Sequence, residues 1–88
     1  DKAESEFLRT IELEPGHARA LNNLGILRQL RAERKLAIGY YRRALENDPT
    51  YDAALYNLGT AWQESDRPQQ AIAVFQKLLR RQPQHAAA

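Results

Sequence analysis

The chain has 88 residues, 43% hydrophobic and 27% charged, with a formal net charge of +2. That is enough for one small domain, and the weak net charge with ordinary hydrophobicity excludes wholesale disorder. No apolar run approaches the ~20 residues of a membrane span. With no cysteine there is no disulfide framework, thiolate metal site or cysteine nucleophile; cytosol and periplasm both remain compatible. With no methionine either, the chain reads as a processed protein or a piece of a longer one.

Repetition organises the sequence. Pro15, Pro49 and Pro83 are spaced by 34 residues, as are Ala3, Ala37 and Ala71, and Phe7, Tyr41 and Phe75. Aligning 18–51 with 52–85 gives ten identities, at Ala20, Leu21, Asn23, Leu24, Gly25, Gln29, Ala37, Ile38, Leu45 and Pro49. A fixed period of this length is the signature of stacked supersecondary units.

Taken in chain order, residues 1–17 match the second helix of a truncated copy. Residues 18–51 form a full copy, with helices at about 18–31 and 34–47. Their break near Ala32-Glu33 holds no glycine or proline and is placed by the alignment. Residues 52–85 form the second copy. Leu55, Leu58 and Trp62 make one helical stripe, and Ala71, Ile72, Phe75, Leu78 and Leu79 a second. Pro68 suits a first helical turn, and Pro15, Pro49 and Pro83 each end a helix. Residues 86–88 open a further copy. The expectation is five helices.

Gly25 and Gly59 fall inside helices, where each costs ~1 kcal/mol relative to alanine. With Ala37 and Ala71 opposite, they allow a tight crossing of two antiparallel helices. Leu24, Leu58, Tyr41, Phe75, Leu45 and Leu79 fill the space around it.

These residues resemble the tetratricopeptide repeat, with its thirty-four-residue period and W-x2-L-G-x2-Y, A-x3-F, P pattern. The copies read Leu21-x2-Leu24-Gly25-x2-Arg28, Ala37-x3-Tyr41, Pro49 and Leu55-x2-Leu58-Gly59-x2-Trp62, Ala71-x3-Phe75, Pro83. Leucine replaces tryptophan at Leu21 and Leu55. Arg28 stands where an aromatic is expected; its stem can cover apolar surface with the head in water. The resemblance implies an all-α, right-handed superhelical solenoid of antiparallel helix pairs. It implies a concave groove, lined by the first helix of each pair, that binds a peptide segment of a protein partner. By that analogy the groove residues are Arg19, Asn22, Asn23, Ile26, Gln29 and Leu30, then Ala53, Tyr56, Asn57, Thr60, Gln63 and Glu64. Asn23 and Asn57 form either a ladder gripping partner backbone or bonds within the repeats. Tyr56 is a contact residue or a shield for a core edge. The lysine and arginine clamp of chaperone-tail adaptors is missing: Arg19 is the lone groove cation, and Ala53 and Thr60 stand at other clamp places.

Nothing points to catalysis, a cofactor or a metal. Ser5 and Ser65 have no periodic His or Asp companion, and Glu12 and Glu14 diverge on a helix. His17, Tyr51 and His85 share one slot before successive helices, which reads as structural. Residues 18–51 hold seven bases and three acids, against two and five in 1–17. The basic residues read as a solvated convex face, and with no aromatic platform for bases nucleic acid is not expected. Acidic and basic portions, and ends with no polar cap, leave an alternative of end-to-end self-association. A targeting arm of a larger enzyme is a further alternative.

Overall fold

The computed structural model describes residues 2–81. Among them are five helices and no strand: α1 (Lys2–Leu13), α2 (Ala18–Leu30), α3 (Arg34–Asn47), α4 (Asp52–Glu64) and α5 (Pro68–Arg81). The expectations for Pro83, His85 and a further copy at 86–88 lie outside the described residues.

The helix boundaries follow from local chemistry. α1 and α3 each stop two residues short of a proline, Pro15 and Pro49. α5 starts on Pro68, whose fixed φ and missing N–H suit a first turn. His17 is the N-cap of α2: its Nδ1 accepts from the Ala20 N–H at 3.2 Å. Tyr51 takes the same place before α4, without a side-chain cap bond. The slot shared by these two residues is therefore a helix start.

The break between the helices of each pair is the same turn twice. Ala32 and Asp66, 34 residues apart, are the left-handed residues, at φ 61° and 62°. The Ala32 N–H reaches Gln29 O at 3.0 Å and the Glu33 N–H reaches Arg28 O at 2.9 Å. In the second copy the Asp66 N–H reaches Gln63 O at 3.2 Å and the Arg67 N–H reaches Trp62 O at 2.9 Å. This paired closure satisfies the last carbonyls of a helix and normally uses glycine. Neither copy has one; Pro68 marks the turn in the second copy, and nothing in the composition marks it in the first.

Each helix packs on its neighbours in the chain. α2 also approaches α4, whereas α1 and α3, or α3 and α5, keep their backbones more than 8 Å apart. The first helices of the pairs therefore lie on the tighter, inner side of the stack. The overall extents of 40 × 26 × 20 Å fit an elongated stack. The core runs through it along α3. One cluster joins Ala37, Ile38 and Tyr41 to Leu58 and Ala61; the other joins Leu21, Ala44 and Ala54, and Leu45 packs against both. Leu21 and Leu24 are completely buried, worth ~1.5–3 kcal/mol each.

The internal glycines act as expected in kind but not in partner. A Cβ on Gly25 would fall under 3.0 Å from the Tyr41 ring, and one on Gly59 would lie 2.6–3.0 Å from three Phe75 ring carbons. The aromatic of the following helix, not the alanine four residues before it, fills each notch.

Arg28 departs from the sequence expectation. Its head is half-buried and held by charge: it pairs with Glu4 at 2.6 Å and with Glu33 at 3.2 Å. Arg31 also reaches Glu4, at 3.1 Å. Where the second copy places Trp62, the first fastens α1, α2 and the following turn by charge. The Glu4 carboxylate of the acidic first helix is thus engaged within the same chain.

Candidate functional site on the inner wall

The inner wall is built from α2 and α4, side by side. Two side-chain rungs join them. The Asn57 amide donates to Asn22 Oδ1 at 3.0 Å, and the Gln29 amide donates to Glu64 Oε1 at 2.9 Å. Each rung spans 35 residues, one more than the repeat. The rungs lie seven residues, or about two turns, apart along each helix. The second is anchored further: the Tyr41 hydroxyl donates to Gln29 Oε1 at 2.5 Å. This fixes which end of the Gln29 carboxamide faces Glu64. Burial, and then the nearby Glu64 carboxylate, push the Tyr41 phenol from 10.0 up to about 12.

Most of the expected groove residues share this wall. Arg19, Ile26, Leu30, Ala53, Tyr56, Gln63 and Glu64 are exposed; Asn23, Gln29, Asn57 and Thr60 are half-buried. Asn22 is a correction. It is only 3% exposed, because α4 covers the edge of α2 on which it sits, and its side chain joins two helices rather than lining a groove. Asn57 also bonds between repeats, which favours the intramolecular reading for that amide. Thr60 turns its hydroxyl onto its own helix, donating to Tyr56 O at 3.0 Å.

Three apolar side chains stand free on the wall: Leu30 is 79% exposed, Tyr56 58% and Ile26 37%. The Tyr56 ring is braced by Phe75, with centroids 6.1 Å apart and planes tilted by 54°. Asn23 lies in a recess of about 340 Å³ with Phe7, Thr10, His17, Arg19 and Ala20. Phe7 shares the period of Tyr41 and Phe75, which points to packing and not to a groove, and Thr10 carries no periodic signal. Their place beside Asn23 arises from the packing of α1 on α2. No helix of the described residues is long and apolar enough to cross a membrane.

Family models described as tetratricopeptide repeat match residues 1–51 and residues 33–88. No curated protein matches the chain. Among solved structures it is similar to two crystal structures of MamA. One has a TM-score of 0.83 at 24% identity, covering 96% of this chain and 46% of that one. The other has a TM-score of 0.87 at 24% identity, covering 97% and 50%. The chain thus spans about half the length of each, and at that identity the likeness is one of fold. The thirty-four-residue period, the stacked helix pairs and the two matches over both halves agree: the chain belongs to the tetratricopeptide repeat family, whose helical solenoids are typically non-catalytic scaffolds for protein interaction.

Proposed function

We propose that the inner wall of α2 and α4 captures a peptide segment of a partner protein. The observation that supports it is the combination of locked helices and free contact groups. The Asn22–Asn57 and Gln29–Glu64 rungs hold α2 and α4 in register, while Ile26 between the rungs and Leu30 and Tyr56 just beyond them stay exposed. A preorganised wall loses little conformational entropy on binding, and an exposed aromatic is a natural anchor. Asn23 adds an amide able to pair with both the N–H and C=O of an extended backbone. The wall carries Arg19 toward one end and Glu64 toward the other, so it suits a segment with an apolar centre rather than a highly charged one.

The test is a peptide-library selection on the intact chain, repeated on Tyr56→Ala and Asn23→Ala. Selected peptides should share apolar residues, and Tyr56→Ala should weaken them by at least about tenfold. Binding by both variants as tight as by the parent chain would overturn the reading.

A second reading is end-to-end assembly through the stacking face of α5. Ile72 and Leu79 are 54% and 60% exposed there, at the positions equivalent to Ile38 and Leu45, which in α3 pack toward the next helix pair. Light scattering across a concentration series decides it: growth in mass that Leu79→Glu abolishes supports assembly, and a constant monomer mass rejects it.

A further inference from the structure

We infer that the outer face of α3, on the opposite side from the inner wall, is a second docking site, and that its occupant is an acidic amphipathic helix of a protein partner. Gly25 and Gly59 are explained by the rings that fill their notches, but a Cβ on Gly39 would meet nothing within 4 Å. A glycine in the middle of an exposed helix costs about 1 kcal/mol relative to alanine. Nothing among the described residues offsets that. The repeat does not demand it either: the positions 34 residues away are Ser5 and Ala73.

Gly39 is the floor of a recess of about 260 Å³ walled by Lys35, Leu36, Tyr40 and Arg43. Leu36 is 53% exposed, and the Arg43 guanidinium sits 5.8 Å from the centre of the Tyr40 ring. The equivalent sites on the other outer helices differ in kind. Leu36 corresponds to Lys2 and Gln70, and Tyr40 to Glu6 and Val74. This face is therefore particular to α3.

Charge identifies the occupant. Arg34, Lys35, Arg42 and Arg43 join none of the ion pairs among the described residues. Glu46 is the single acid of the helix. A partner that places an aromatic or leucine side chain over Gly39 repeats the contact this chain already makes twice, a ring seated on a glycine. Carboxylates one turn to either side then meet Lys35 and Arg43. A recess favours an inserted side chain over a membrane, which would call for protruding apolar groups. One tyrosine already under an arginine is a poor platform for successive bases.

The site lies apart from the inner wall, so its test is separable. The probe is a synthetic helix-forming peptide of about sixteen residues, with one phenylalanine and a glutamate four positions to either side. It is titrated into the isotope-labelled chain and followed by amide NMR shifts. Shifts centred on Leu36, Gly39 and Tyr40 are expected, with Tyr56→Ala leaving them unchanged. Gly39→Ala should raise the thermal midpoint yet weaken binding about tenfold, since the added methyl occupies the seat of the ring. Lys35→Glu with Arg43→Glu should weaken it by more than tenfold and remove its salt dependence. The proposal fails if Gly39→Ala binds the peptide as well as the parent does, or if the shifts map to the inner wall. It also fails if anionic phospholipid vesicles or duplex DNA shift α3 while the peptide does not.

Discussion

The two helix pairs carry the same pattern in unequal surroundings. In α2–α3, Tyr41 is completely buried, with α4 packed on its far side. In α4–α5, Phe75 is only partly covered, and Ala71 is the sole buried residue of α5. Tyr41 also ends in a hydroxyl tied to Gln29, whereas Phe75 has none and meets Tyr56 in a tilted ring contact. One sequence pattern therefore supports a rigid joint in the middle of the stack and a more yielding one beside it. Neighbours, more than the residues themselves, set how strongly each position is held, as expected for a quasi-one-dimensional fold.

The sharpest way to break this contrast is to fill the two notches. Gly25→Ala should destabilise by about 2–3 kcal/mol, because the Tyr41 ring has nowhere to move. Gly59→Ala should cost about 1 kcal/mol or less, since a half-exposed Phe75 can swing aside and the helix gains in propensity. Urea unfolding of both variants checks the order; equal losses would erase the distinction between the joints.

Removing the hydroxyl is gentler. Tyr41→Phe makes the first joint chemically like the second and should cost about 1 kcal/mol. The fold holds the phenol neutral, raising it from 10.0 to about 12, so its stabilising effect is complete below pH 10 and is lost as pH climbs toward 12. Tyr41→Phe should lose less stability than the parent over that interval. Ultraviolet titration should show one of the four tyrosines ionising well after the others.

The smallest effect concerns the left-handed turns. Ala32→Gly should stabilise by about 0.5–1 kcal/mol, and Asp66→Gly by less, since aspartate tolerates that conformation better than alanine. Thermal unfolding of the pair reads the difference.

Much of the fold is legible in the sequence because it is periodic: the prolines mark helix ends, and the repeated Gly25 and Gly59 mark where helices cross closely, though not which side chain fills the notch. What is illegible is aperiodic. Arg28 and Glu4 belong to no spacing rule, and their pairing depends on how α1 lies against α2. Ala32 gives no hint of its left-handed backbone. Of the candidate site, the choice of helices and most exposed residues follow from helical geometry. Asn22 escapes it, because a wheel drawn for α2 alone does not know that α4 covers one edge. Gly39 was visible as a glycine, but only the empty space above it distinguishes it from Gly25 and Gly59.

The one-residue offset between the rungs and the repeat has a consequence for building with these units. Because residue n meets residue n + 35 across the inner wall, compatibility belongs to the seam between two repeats and not to either repeat alone. Concatenating copies of 52–85 would bring Gln63 against the next Glu64 and preserve that rung. Concatenating 18–51 would set Gln29 against Leu30 and leave an amide facing a methyl group. Anyone lengthening this solenoid should therefore graft seams.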